Sequence, residues 1–147
     1  MSRHFATLPL MAVLALASAA PAQTHPPPGE CPQPRFTERA PAEYLSRSNP
    51  VAADSAVGAR LYASATSNTV GCATCHGASG DGRGELAKLF DPPPRNFACA
   101  RTVRDVPDGQ LFWIIRYGSP GTSMPGHVRL KDDEIWQLVH HLRKLAR

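Results

Sequence analysis

The chain has 147 residues, of which 42% are hydrophobic and 19% are charged. This length corresponds to one small globular domain, because domains usually contain about 100–150 residues. A second large domain is therefore not expected. The 15 prolines and 11 glycines predict much irregular backbone, yet the hydrophobic content is too high for a wholly disordered chain. The formal net charge is only +4 and the basic residues are scattered, which disfavours nucleic-acid binding.

The N-terminus is typical of a secretory signal peptide, which we predict over residues 1–22. Arg3 and His4 form a short basic segment, an apolar run over 8–20 follows, and small residues precede the expected cleavage after Ala22. A membrane anchor is disfavoured, because the run is shorter than the roughly 20 residues that span a bilayer. We therefore expect an exported, periplasmic protein whose mature chain does not insert into the membrane. Cleavage would remove only Arg3 among the charged residues and change the net charge from +4 to +3.

Residues 23–50 are predicted to form an extended, proline-rich N-terminal arm. They contain seven prolines, each of which removes a backbone donor and fixes φ. Neither a regular helix nor a strand is expected in this arm. The remaining residues, 51–147, are predicted to form the folded domain.

Three helices are predicted in this domain. The first covers 54–65 with Asp54 or Ser55 as its cap, and the second covers 107–117 with Pro107 at its first position. The third covers 132–145 and has the clearest apolar periodicity of three and four residues. No segment alternates with period two, so no strand is expected and the fold class is all-α.

Cys72, Cys75 and His76 form the C-x-x-C-H pattern of covalent haem attachment. Two thiols three residues apart can each form a thioether with one porphyrin vinyl group, and the adjacent histidine can then bind the iron as an axial ligand. A dithiol redox pair would need a βαβ setting, which is absent. A zinc site would need a second ligand pair at a recognisable spacing, which Cys31 and Cys99 do not provide.

Met124 is the favoured second axial ligand. Met1 and Met11 lie in the signal peptide, so Met124 is the one methionine of the expected mature chain. It belongs to a loop rich in glycine, serine and proline over 118–126, where a merely apolar role is less favoured than a ligand. His127 is the next candidate, and His140 and His141 lie on the last predicted helix, where at least one should face solvent.

With these residues in view, the sequence resembles the bacterial class I c-type cytochromes over about residues 54–145. The resemblance depends on C-A-T-C-H-G, then G-D-G-R-G, P-P-P-R-N-F, D-G-Q-L-F-W-I-I-R-Y-G-S-P-G-T-S-M-P and a final helix beginning D-D-E-I-W. It implies one covalently bound haem c in a crevice, with His76 on one face of the haem and Met124 on the other. It also implies that the first and last helices cross, with Gly58, Tyr62 and Trp136 near the crossing.

The sequence departs from this family pattern at two places. Relatives often have a Ser or Thr cap before the last helix, where this chain has Lys131, so we expect the cap to be displaced to Asp132. Cys31 and Cys99 are also outside the pattern. In an oxidising compartment they most simply form a disulfide that ties the arm to the loop after Phe97. The alternative is that Cys99 is a thiolate ligand of the haem or a covalent carrier of a substrate.

A haem with both axial positions occupied by protein has no open site for a substrate. The sequence therefore predicts a non-enzymatic, single-electron transfer protein, either a soluble carrier or a dehydrogenase subunit whose arm binds the partner. Its expected partners are a redox protein donor and acceptor, such as a dehydrogenase and a terminal oxidase. The alternative is a haem enzyme that oxidises a sulfur compound through Cys99 or acts as a peroxidase after Met124 dissociates. Docking is expected near Met124, within a possible basic rim of Arg116, Arg129, Lys131 and Arg143.

Two further expectations concern the surroundings of the haem. The second ring nitrogen of His76 needs an acceptor, and the loop over 89–94 is expected to supply a backbone carbonyl. Arg95, Asn96 and Trp113 are candidates for contact with the haem propionates, although each could equally have an ordinary surface or packing role.

Overall fold

The structure is a computed structural model that describes residues 27–33, 36–64 and 70–146. The expected signal peptide over 1–22 and the predicted end of the first helix at Ala65 lie outside these residues. Within them, no helix is long and apolar enough to cross a membrane.

The described residues form an all-α structure, as predicted, and no strand occurs among them apart from an isolated bridge between Gly118 and Pro125. Six α-helices follow one another along the described residues, with a short 3₁₀ helix at Ala87–Leu89 between the third and fourth. They are α1 (Ala42–Leu45), α2 (Ser55–Ala63), α3 (Cys72–His76), α4 (Ala100–Val103), α5 (Asp108–Tyr117) and α6 (Asp132–Leu145).

The three predicted helices are α2, α5 and α6, with small differences at their ends. The Asp54 carboxylate caps α2 by accepting hydrogen bonds from the backbone N–H groups of Ala56 and Val57. Pro107 precedes α5 as its N-cap and is not its first helical residue. The expected displacement of the α6 cap to Asp132 is wrong, because Lys131 is the N-cap and its backbone N–H donates to the Glu134 carboxylate at 2.7 Å.

The core lies where α2 and α5 pack against α6. Gly58 and Tyr62 are both buried on one face of α2. A Cβ at Gly58 would lie 2.7 Å from the Gln137 carbonyl oxygen of α6, so glycine is required for this close approach. On α6, Trp136 packs against Phe112 of α5 with ring centroids 4.5 Å apart. The remaining buried apolar residues of this core include Val103, Leu111, Ile115, Ile135, Leu138, Val139 and Leu142.

The proline-rich arm differs from the prediction that it would contain no helix and extend from the domain. It contains the helix α1, which begins after Pro41 and packs against α5. Gln33 and Ala40 of the arm are each 4% exposed. A short segment that lacks its own core can be ordered when the domain satisfies its backbone groups, and that is the situation here.

Candidate functional site

The C-x-x-C-H motif forms the single-turn helix α3. Gly71 precedes it in close contact with α2, since a Cβ there would lie 2.7 Å from the Ser64 carbonyl oxygen. Gly77 ends it with a φ of 80°, which favours glycine. The Tyr62 hydroxyl donates to the Gly77 carbonyl at 2.9 Å and so ties the end of the motif to α2. The turn places both cysteines on one side, because residues three apart are neighbours on a helix.

His76 is buried, with 7% of its surface exposed. Its Nδ1–H donates to the backbone carbonyl of Arg95 at 3.0 Å, and its ring stacks on Phe97 with centroids 4.5 Å apart. The acceptor is a backbone carbonyl, as expected, but it belongs to the residue that follows the expected loop over 89–94. Donation through Nδ1 fixes the tautomer and leaves the Nε2 lone pair for a metal.

Two adjoining cavities meet at His76 and Met124, since both side chains line both of them. The larger has a volume of about 500 Å³ and an apolar lining from the core, including Phe97, Leu111 and Ile115. The smaller, of about 80 Å³, is lined by the motif cysteines and by the prolines at 92–94 and 125. A mostly apolar cavity of this size, with an imidazole and a thioether at its wall and two thiols beside it, fits a covalently attached haem.

Met124 is half-buried in a loop that is fastened to itself and to α5. The Met124 carbonyl accepts from the Ser119 backbone N–H at 3.2 Å, and the Met124 backbone N–H donates to the Thr122 hydroxyl at 3.2 Å. The backbone N–H of His127 donates to the Ile115 carbonyl of α5 at 2.9 Å. These bonds hold the backbone on either side of Met124 even though the loop has no regular structure.

The other candidate iron ligands, His127, His140 and His141, are less well placed than Met124 to bind a haem in these cavities. His127 lines only the smaller cavity, and burial lowers its pKa. His140 bonds through Nε2 to the Val51 carbonyl at 2.9 Å, and His141 packs on Tyr62. Both are half-buried, so the expectation that one faces solvent is wrong, and neither lines the two cavities.

The thiols of Cys72 and Cys75 are in surroundings that suppress the thiolate. Burial raises the pKa of Cys72 to about 11 and also raises the pKa of Cys75. A dithiol redox pair acts through a thiolate, which low-pKa surroundings stabilise, so this rival interpretation is disfavoured. No group of three or more His, Cys, Asp or Glu side chains suited to a metal occurs among the described residues.

Cys31 and Cys99 form a disulfide, with their Cα atoms 5.6 Å apart, as predicted. The bond ties the arm to the start of α4. It leaves Cys99 without a free thiol, so in this form Cys99 can be neither a thiolate ligand of the haem nor a carrier of a sulfur substrate.

Of the three residues expected to contact the haem propionates, only one lines a cavity. Arg95 lines the larger cavity, whereas Trp113 lines neither. Asn96 instead binds the arm, because its Nδ2 donates to the Gly29 carbonyl at 2.8 Å.

The expected basic rim is also incomplete. Arg116 pairs with Asp132, and its Nη1 donates to the Leu130 carbonyl at 2.5 Å. Arg143 pairs with Asp108 at 2.6 Å and also donates to the Val103 carbonyl. Both guanidinium groups therefore have structural partners, while Arg129 and Lys131 remain exposed.

Sequence reasoning missed several polar residues that line the larger cavity, among them Thr37 and Arg39 of the arm. No local pattern identifies these two, since they reach the cavity only after the arm folds back on the domain.

Comparisons with known proteins agree with this geometry. The family model named Cytochrome c matches residues 55–146. A solved structure, the Kuenenia stuttgartiensis reducing HAO-like protein complex Kustc0457/Kustc0458, has a similar fold, with a TM-score of 0.51 and 22% sequence identity. The alignment covers 79% of this chain and 50% of that chain, so the present chain corresponds to about half of it. A search of the curated proteins gave no match.

Proposed function

The chain belongs to the cytochrome c family, and we propose that it is an exported, non-enzymatic electron carrier whose single haem is held by Cys72, Cys75, His76 and Met124. Membership of this family makes it an electron-transfer haem protein with covalently attached haem c. The ligand assignment, the periplasmic location and the role as a carrier are the parts that we propose.

One observation supports the ligand assignment above all others. The imidazole of His76 and the thioether of Met124 line the same two adjoining cavities, and the motif cysteines line the smaller one. When bound there, the haem supplies a one-electron redox couple, and a Met/His ligand pair favours a relatively high potential.

The chain's own residues position the two proposed iron ligands, His76 and Met124. The Arg95 carbonyl orients the His76 ring and makes Nε2 a better ligand. The loop bonds at Ser119, Thr122 and Ile115 hold Met124 at the cavity wall. If His76 and Met124 both bound the haem iron, they would leave no site on the metal for a substrate, and the haem would supply one-electron transfer.

The folded arm favours a freely diffusing carrier over a permanent dehydrogenase subunit. A docking tail would keep its backbone groups available to the partner, whereas this arm uses the Glu38 carbonyl and the Ala40 N–H to bind Gln110 of α5. Arg129 and Lys131 are the exposed basic residues that we propose for transient docking to an acidic redox partner.

Haem attachment is tested by the mass of the protein made with a haem-attachment system in a bacterial periplasm. We expect the mature chain plus one haem, and a Cys72→Ala or Cys75→Ala variant should retain at most one thioether bond. A wild-type mass without haem would contradict the proposal.

The carrier role is tested by purifying the native protein from its periplasmic fraction and sizing it. We expect a species of the size of one or two chains that is reduced and reoxidised reversibly. Constant copurification with a large redox subunit would contradict the carrier role and favour the dehydrogenase-subunit alternative.

A further inference from the structure

We propose that the folded arm is part of the haem site, with Arg39 of the arm and Arg95 of the domain binding the two haem propionates. This inference depends on the proposed function, because it requires a haem in the larger cavity. It assigns the described arm residues over 27–33 and 36–45 to the haem site, whereas the sequence suggested a partner-binding extension.

The first step is that hydrogen bonds from the domain hold the arm in a defined position. The Gln33 side chain donates to the Pro94 carbonyl at 3.2 Å and accepts from the Asn96 backbone N–H at 2.7 Å. On the other side, the Gln110 side chain accepts from the Ala40 N–H at 2.8 Å and donates to the Glu38 carbonyl at 2.9 Å. The disulfide adds a covalent link near the start of this segment. The arm is therefore a fixed wall of the domain.

The second step is that Arg95 connects this wall to the axial ligand. Its guanidinium donates through Nη1 to the Gln33 carbonyl at 2.8 Å and through Nη2 to the Thr37 hydroxyl. Its own backbone carbonyl accepts from His76. One residue thus orients the imidazole through its main chain and fastens the arm through its side chain, and this residue also lines the larger cavity.

The third step is the chemistry of the cavity lining. Two arginines, Arg39 and Arg95, line the larger cavity together with one acidic residue, Asp105. The oxygen of Thr102, which also lines it, is buried and has no hydrogen-bond partner among the described residues. A ligand with an apolar body and two carboxylates satisfies such a lining, since guanidinium groups are the preferred partners of carboxylates and an unpaired buried hydroxyl is unfavourable.

Exposure separates the roles of the two arginines. Arg95 is half-buried, so its positive charge is incompletely solvated. Arg39 is exposed at the mouth of the cavity. Arg95 is therefore placed to bind a buried carboxylate, and Arg39 to cover a carboxylate that reaches the opening.

The test is the midpoint potential of the haem-loaded protein in Arg39→Gln, Arg39→Lys and Arg60→Gln variants. A positive charge near the haem stabilises the reduced state, so Arg39→Gln should lower the reduction equilibrium constant about fivefold, equivalent to about 40 mV. Arg39→Lys keeps the positive charge, so its midpoint potential should stay close to that of the wild type. Arg60 is exposed on α2 and outside the cavity lining, so Arg60→Gln is the matched control for the loss of one charge.

Haem content by mass and thermal midpoint should be measured for every variant. A loaded Arg39→Gln variant whose potential shifts no more than that of Arg60→Gln would overturn the inference while leaving the proposed function intact. A wild-type protein without haem would instead refute the proposed function.

An Arg95→Gln variant should lower both the potential and the thermal midpoint, because the same guanidinium holds Gln33 and Thr37. A change in neither would also overturn the inference.

Discussion

Removal of the disulfide between Cys31 and Cys99 is the perturbation whose magnitude follows most directly from the fold. The two cysteines are 68 residues apart in the sequence, so the bond closes a long loop in the unfolded chain. By the chain-entropy relation, a loop of this length contributes about 4 kcal/mol to the free energy of unfolding. The arm's hydrogen bonds to Pro94, Asn96 and Gln110 of the domain remain, so the variant should still fold.

The assay is thermal unfolding of the oxidised, haem-loaded Cys31→Ser/Cys99→Ser variant beside the wild type at equal haem content. A loss of about 4 kcal/mol in a domain of this size lowers the thermal midpoint by about 15–30 °C. Thiol titration of the denatured wild type should find no reactive thiol, because two cysteines form the disulfide and two form thioethers. A midpoint within about 3 °C of the wild type would refute the reasoning, since it would mean that the bond does not restrict the unfolded chain.

Two further predictions concern the contact between α2 and α6. Gly58→Ala should lower the free energy of unfolding by about 1–3 kcal/mol in denaturant titrations, because its Cβ would lie 2.7 Å from the Gln137 carbonyl oxygen; equal or greater stability would show that the helices can separate freely. Both ring nitrogens of His141 are buried without a hydrogen-bond partner among the residues that the structure describes, and burial together with Lys144 lowers the pKa of His141 below 6.5. Since the unfolded chain then binds the proton more readily, wild-type stability should be full above pH 6.5 and decrease below it, and His141→Gln should reduce that decrease. An unchanged pH profile would contradict this role.

The sequence predicted the long helices because their signals are local. The α6 helix repeats its apolar residues at three- and four-residue steps, and its predicted range, 132–145, matches the structure. The helix α2 has a capping carboxylate at Asp54 and ends two residues earlier than predicted. The helices α1 and α4 were not predicted, since four residues are too few to show a period.

The arm shows where local reasoning fails. Its prolines predict irregular backbone, and most of it is irregular. Its position, however, depends on Gln33, Asn96 and Gln110, whose hydrogen bonds join residues 61 to 72 positions apart. The acceptor of His76 differed from the predicted loop by one residue for a similar reason, because the path of the chain through the prolines at 92–94 decides which carbonyl reaches the ring.

The near-infrared sulfur-to-iron band of the oxidised protein tests the central claim most directly, namely that Met124 is the ligand opposite His76. The wild type should show the band, Met124→Ala should lose it, and His127→Ala should keep it, because His127 lines only the smaller cavity. Persistence of the band in Met124→Ala, or its absence from the haem-loaded wild type, would contradict the assignment.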